Sequence, residues 1–202
     1  MRYVYVKSDR INEKGGENNM AKVNGLEVND IVKLVDDVKR NPAGFQSTFY
    51  ANSSWKSGFN VVAETNKFTV GGTTLKHKTF KVEGDHPKEF LGTDNGPSAV
   101  EITLSALGHC IAGGWGVNGA ALGVPLESVR IEVEGDLDPQ GMLGLPEPGK
   151  VRAGFQNIRV THYVKSTAAK EKLEQVKQMA EDLSPVKDSL RAINYSSKLV
   201  IQ

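Results

Sequence analysis

Gly92-Thr-Asp-Asn-Gly-Pro-Ser-Ala-Val-Glu-Ile-Thr-Leu-Ser-Ala-Leu-Gly-His-Cys-Ile-Ala-Gly-Gly-Trp-Gly-Val-Asn-Gly-Ala-Ala-Leu-Gly-Val-Pro125 is the stretch around which the rest of the chain is organised, and it holds the only cysteine, Cys110. Ser98 followed by Glu101 has the form of a capping box: the hydroxyl meets one free backbone N–H at a helix start and the carboxylate reaches back to another. A helix is therefore predicted from about Ser98. Val100, Leu104, Leu107 and Ile111 form one apolar stripe along it, and Ile102, Ala106, Cys110 and Ala112 keep most of the remaining circumference apolar or small. A helix of this kind belongs in a core.

Upstream of this helix, Asn29 or Asp30 can cap a segment in which Ile31, Leu34, Val35 and Val38 follow helical spacing, closed by Pro42, which predicts a helix over about 29–40. Phe45 to Tyr50 and Phe59 to Thr65 read as strands, and the intervening Asn52 to Gly58 reads as the long loop of a hairpin. Phe68 to Val70 reads as a further strand turned by Gly71-Gly72, and Leu75 to Glu83 as the next. His77, between two lysines, is then an exposed strand residue. Gly84 to Pro97 is a loop of Gly, Asp and Pro.

Downstream, Ser128 to Glu134 alternates Val129, Ile131 and Val133 against charged residues, the pattern of a half-buried strand. Asp136 to Gly154 is a long loop, Phe155 to Val164 resumes the β pattern, and Thr167 can cap a helix with Leu173, Val176, Ala180 and Leu183 on its inner face. Ser184-Pro185-Val186 interrupts that helix, a short helical turn follows, and Lys198 to Ile201 reads as a last strand. The order implies an α+β fold without internal repeats, a single domain over residues 20–202 with its core over about 44–202.

Residues 1–19 read differently. Lys14-Gly-Gly-Glu17 leads into Met20, and purine-rich codons for those four residues would resemble a ribosome-binding site at about the right distance before a start codon. Two expectations stand side by side: a translated leader before a natural start at Met20, or a native disordered arm.

In 202 residues, 25 Lys and Arg balance 24 Asp and Glu, so charge gives no reason to expect nucleic acid or an anionic membrane. A single cysteine cannot form an internal disulfide, no apolar run approaches the roughly 20 residues of a membrane span, and one Cys with four scattered His has no metal-ligand spacing. The expectation is a soluble cytoplasmic protein without metal or cofactor.

Gly114-Trp-Gly116-Val-Asn-Gly119, with Glu134 further on, matches the letters of a dinucleotide-binding fingerprint. That fingerprint needs a strand before the glycines and a crossover helix after them, and neither is predicted here. The alternative is that the glycines let another backbone or a second chain approach the helix. Cys110 taken alone is either a small core residue or a reactive thiol. The second requires an activating group from elsewhere, because Cys110 sits some three turns inside the helix and His109 points about 100° away around it.

Gly96-Pro-Ser-Ala-Val-Glu101 followed by Leu104-Ser-Ala-Leu-Gly-His-Cys110 resembles the central-helix signature of the OsmC/Ohr family of thiol-dependent hydroperoxide reductases. The resemblance extends through Val129 to Gly135 and Arg152 to Val160, and to Ser184-Pro185-Val186, which falls where the family has Cys-Pro-Val. It implies an intertwined homodimer with central buried helices wrapped by antiparallel sheets, a peroxidatic thiol at Cys110 and, with the family's resolving cysteine replaced by Ser184, an external thiol as reductant. The family's activating arginine has no match in Phe59 to Thr65; Lys56 lies near, and Arg152 and Arg159 lie on or beside a strand.

The Pro-x-x-x-Glu carboxylate is present as Glu101, either in that catalytic role or as a capping residue alone. Nine residues along a continuous helix give about 900° of rotation and about 13 Å of rise, so Glu101 can share a site with Cys110 only from a partner chain. Two functions follow from the resemblance. One is a single-cysteine hydroperoxide reductase acting on a small hydrophobic peroxide. The other is an inactive dimer that binds a small hydrophobic ligand or senses oxidants at its interface. A nucleotide-dependent function would rest on the glycine run alone.

Overall fold

The computed structural model describes residues 22–145, 147, 149–191 and 193–201. Residues 1–19, expected as leader or arm, lie outside the described residues, as does Met20. The described chain opens on a hairpin, β1 (Lys22–Val23) and β2 (Leu26–Glu27), turned by Asn24 and Gly25 with φ of 51° and 82°. Positive φ at both central positions is what a type I′ hairpin turn demands, and Asn-Gly supplies it with least strain. The amphipathic helix α1 (Val28–Arg40) and a 3-10 turn at Pro42–Phe45 follow.

Residues 33–103 form one unit, built on a four-stranded antiparallel sheet of β3 (Ser47–Phe49), β4 (Asn52–Ser57), β5 (Asn60–Val70) and β6 (Thr73–Gly84). β3 and β4 share one edge of β5, and β6 takes the other. Two expectations are corrected here. Asn52 to Ser57 is a strand, not a loop; its backbone pairs with β5 although its side chains are all exposed and carry no alternation. The two strands predicted at Phe59–Thr65 and Phe68–Val70 are one, because a register shift between Thr65 and Lys67 absorbs the polar interruption.

The loop after β6 is tied by buried Asp85, whose carboxylate accepts from the amides of His86, Thr93 and Asn95 and from the Thr93 hydroxyl. The Thr93 hydroxyl first, and then the His86 amide, bring the Asp85 pKa down to about 2. That knot delivers Ser98 to the start of α2 (Ala99–Leu122), the predicted central helix.

The described residues of 1–32 and 104–202 form the second unit. Its sheet comprises β7 (Ser128–Asp136), β8 (Asn157–Lys165) and β9 (Asn194–Ile201). β7 and β8 are antiparallel, whereas β8 and β9 are parallel, which corrects the all-antiparallel expectation. The reason is the connection: α4 (Lys170–Asp182) and α5 (Pro185–Ser189) carry the chain back across the sheet, and such crossovers join parallel strands. A short helix, α3 (Pro139–Leu143), interrupts the loop predicted after β7. α4 starts at Lys170 with Ala169 at its N-cap and no side-chain bond there, so Thr167 is not the cap.

Leu107, Ile111 and Trp115 of α2, Ile158, Val160 and Val164 of β8, and Leu173, Val176 and Ala180 of α4 make the core of this unit. Each fully buried large apolar side chain among them contributes about 1.5–3 kcal/mol. The remaining side of α2 stays open in the single chain: Ala106, His109, Gly113 and Val117 are exposed and Cys110 is half-buried. At the helix end, Gly123 turns with φ 68°, and Asn24 accepts from the Leu126 amide (2.8 Å) and donates to the Val124 carbonyl (3.0 Å). Gly119 leaves room for this contact, since a Cβ there would lie 2.7 Å from Asn24 Nδ2.

Candidate functional site

Cys110 sits on the half-buried flank of α2, and the corner between α4 and α5 brings Ser184 to it, with the Ser184 hydroxyl donating to Cys110 Sγ at 3.0 Å. Ser184 is buried and caps α5: its Oγ accepts from the Lys187 amide at 3.2 Å, and Pro185 follows at the first helical position, where its missing N–H costs nothing. The corner is closed by Ser184 N donating to the Glu181 carbonyl and Asp188 N to the Ser184 carbonyl. The Ser184 hydroxyl thus has a lone pair engaged by an amide and its one proton directed at sulfur. An oxygen at this position donates to sulfur but forms no disulfide with it.

One turn before Ser184 lies a buried polar cluster that sequence reasoning missed. Glu181 Oε1 lies 2.7 Å from Lys177 Nζ, 3.1 Å from His162 Nε2 and 2.6 Å from the Ser197 hydroxyl, and Oε2 lies 3.2 Å from Lys187 Nζ. Trp115 Nε1 donates to His162 Nδ1 at 2.8 Å. An indole N–H can only donate, so Nδ1 is the acceptor and the imidazole proton sits on Nε2, facing Glu181 and Ser197. Burial pushes the Glu181 carboxyl up, but the bonds from His162, Lys177 and Ser197 together with the Lys177 charge outweigh it and hold the group below the usual carboxylate range. Burial, and then the Glu181 charge, push the Tyr195 hydroxyl up.

A partial signal for this cluster exists in the sequence. His162 takes an inward position in the alternation of β8 with Ile158, Val160 and Val164, and Glu181 stands in the last turn of α4, where an acidic residue opposes the helix dipole. Neither discloses the other, because the cluster assembles from α2, β8, α4, α5 and β9.

Of the residues singled out earlier, the structure joins Cys110 and Ser184. Glu101 is engaged at the start of α2, where its Oε2 accepts from the Ser98 amide (2.7 Å) and the Ser98 hydroxyl (2.6 Å); these bonds, the hydroxyl first, lower its pKa. Arg159 places both terminal nitrogens on Asp136, at 2.6 and 2.8 Å, and Arg152 lies in the loop before β8. Lys56 lies on β4. His77 is on β6, its Nδ1 2.7 Å from the Lys78 carbonyl, and His109 is exposed on α2 with Nδ1 2.7 Å from the Ser105 carbonyl.

The glycine run has the surroundings of a packing motif and not of a nucleotide site. Gly114, Gly116 and Gly119 all lie inside α2, where backbone amides serve the helix and offer no loop to cradle a pyrophosphate. Gly114 instead receives α4, since a Cβ there would lie 3.1 Å from Ala180 Cα. Among the described residues no group of His, Cys, Asp and Glu could hold a metal ion, and no helix is long and apolar enough to cross a membrane.

Residues 92–198, more than half of the chain, match the family model described as OsmC-like protein. Solved structures with the same fold include an OsmC-like protein from Mycoplasma pneumoniae (TM-score 0.60, 13% identity, covering 76% of this chain and 96% of that one). An OsmC-like protein of unknown function from Vibrio cholerae (TM-score 0.58, 14% identity, 77% and 100%) and an organic hydroperoxide resistance protein from Elizabethkingia anophelis (TM-score 0.55, 12% identity, 77% and 96%) are also similar. Comparison with the curated proteins gave no match. The matched residues run from the loop that delivers Ser98, through the helix of Cys110 and the corner of Ser184, into β9, and on that ground the chain belongs to the OsmC-like family.

Proposed function

We propose that this chain is a single-cysteine hydroperoxide reductase. The observation that carries the reading is the 3.0 Å approach of the Ser184 hydroxyl to Cys110 Sγ, which unites the central-helix thiol with the Ser-Pro-Val corner in a chain of this family. In the proposed reaction the Cys110 thiolate attacks the distal oxygen of an organic hydroperoxide. The O–O bond breaks as an S–O bond forms, leaving a sulfenic acid, and the departing alkoxide takes a proton to become an alcohol. A small external thiol then attacks the sulfenic sulfur, releasing water and leaving a mixed disulfide. A second thiol frees Cys110 and carries away a disulfide.

In this reading two chains form a homodimer, Glu101 of the partner subunit completes the site, and the protein works in the cytoplasm, where such thiols are kept reduced. Exposure of purified protein to cumene hydroperoxide, with dimedone trapping, mass spectrometry and a Cys110→Ser control, tests it. Sulfenic acid forming at Cys110 far faster than on free cysteine is the expected result; a rate no faster than free cysteine overturns it. Replacement of the resolving position by Ser184 favours a second reading, in which the same thiol reports oxidation without turnover. That reading predicts one equivalent of peroxide consumed whatever thiol is supplied.

A further inference from the structure

We infer that Glu181 is a positioning residue for Cys110: it fixes Lys187, whose amide fixes the Ser184 hydroxyl, so that the hydroxyl proton faces the sulfur. The chain of contacts is continuous. Glu181 Oε2 holds Lys187 Nζ at 3.2 Å, the Lys187 amide donates to Ser184 Oγ at 3.2 Å, and Ser184 Oγ donates to Cys110 Sγ at 3.0 Å. The two oxygens of Glu181 divide the work. Oε1 gathers Lys177, His162 and Ser197, from α4, β8 and β9, and so anchors the carboxylate to the core; Oε2 faces α5.

Lys187 is held from several sides, its ammonium 4.6 Å from the centre of the Tyr195 ring and 3.9 Å from Asp182 Oδ1 in addition to the Glu181 contact. These contacts tie α5, and with it the Lys187 amide, to the end of α4. The Ser184 hydroxyl would otherwise rotate among three staggered positions, only one of which presents the proton to sulfur. A hydroxyl donor favours negative charge on sulfur and on the sulfenate that follows, so its orientation bears directly on thiol reactivity.

The catalytic consequence rests on the thiol reading above, but the arrangement is measured without peroxide. The rate of Cys110 alkylation by iodoacetamide in the full chain is compared among wild type, Ser184→Ala, Glu181→Gln and the double variant, with near-UV circular dichroism confirming the fold. Loss of the hydroxyl is expected to slow alkylation at pH 7 about three- to tenfold, the scale of one ordinary intramolecular hydrogen bond. Glu181→Gln is expected to slow it about two- to fivefold, and the double variant to be no slower than Ser184→Ala.

Because Glu181→Gln leaves two lysines uncompensated, Lys187→Met and Lys187→Arg provide a second route. Slowing by Met with recovery by Arg supports the inference. An unchanged rate in Lys187→Met, or effects of Glu181→Gln and Ser184→Ala that add in full, overturns it. A coupled alkylation series in a protein inert to cumene hydroperoxide would retain Glu181 as positioning residue and remove the reductase reading instead.

Discussion

At the scale of single residues, Ser184 differs from a cysteine by one atom, and in the proposed reaction that atom decides how the cycle closes. Its oxygen already lies 3.0 Å from Cys110 Sγ, so a sulfur in its place would need little backbone movement to reach bonding distance. Ser184→Cys is therefore expected to form an intramolecular disulfide with Cys110 on treatment with one equivalent of hydroperoxide. Loss of two hydrogens in intact mass and a reducible mobility shift would register it; a stable sulfenic acid with a free introduced thiol would contradict the proposed corner geometry.

Two of the carboxylates held low in the folded state contribute to the acid limit of the fold. Asp85, with its pKa brought down to about 2, and Glu181, also held below the usual range, both have folded values below those of the unfolded chain, about 3.9 for Asp and about 4.3 for Glu. The native state therefore releases protons that the unfolded state binds, and stability present above these unfolded values is lost as pH falls through the folded ones. Thermal melting of Asp85→Asn is expected to fall less steeply than wild type between about pH 4 and pH 2. Parallel curves would show that Asp85 carries none of this dependence.

Among elements, α2 shows why some features were legible in the sequence and others were not. The Ser98–Glu101 box and the Leu107 and Ile111 part of the predicted stripe are local patterns and appear in the structure, whereas Val100, the first member of that stripe, is exposed. β7 was legible for the same reason. β4 was not, because Asn52 to Ser57 is exposed and owes its conformation to pairing with β5. The parallel placement of β9 and the Glu181 cluster depend on segments far apart in the chain, and the pairing of Cys110 with Ser184 was approached only through family resemblance.

The glycines of α2 illustrate the point at finer grain, since residues identical in the sequence have different surroundings. At Gly114 an added Cβ would lie 3.1 Å from Ala180 Cα and 3.2 Å from its carbonyl oxygen, whereas at Gly108 it would meet only Val133 Cγ2, at 3.5 Å. Gly108→Ala is expected to stabilise the chain by about 1 kcal/mol through helix propensity. Gly114→Ala gains the same propensity but forces α2 from α4, for a net loss of about 1 kcal/mol. Urea unfolding distinguishes the two, and equal midpoints would show that α4 yields freely.

For the whole molecule, the surface left open by the single chain bears on assembly. Phe49 and Trp55 on the four-stranded sheet are 79% and 70% exposed, and the stripe of Ala106, His109, Gly113 and Val117 on α2 is uncovered beside Cys110. Large aromatics bury about 150–250 Å² each when covered, so a second copy has substantial area to gain on association. Gly113 discriminates between an open stripe and an interface, because a Cβ there meets nothing within 4 Å in the single chain. Gly113→Val adds bulk that the fold of one chain tolerates but that a closely packed second helix does not. Light scattering of the wild type is expected to give twice the chain mass, and Gly113→Val to shift the population towards the single-chain mass with unchanged far-UV circular dichroism. A monomeric wild type would remove the homodimer, and with it any role for Glu101 of the partner subunit; a Gly113→Val variant as dimeric as wild type would move the interface away from this stripe and leave Cys110 facing solvent.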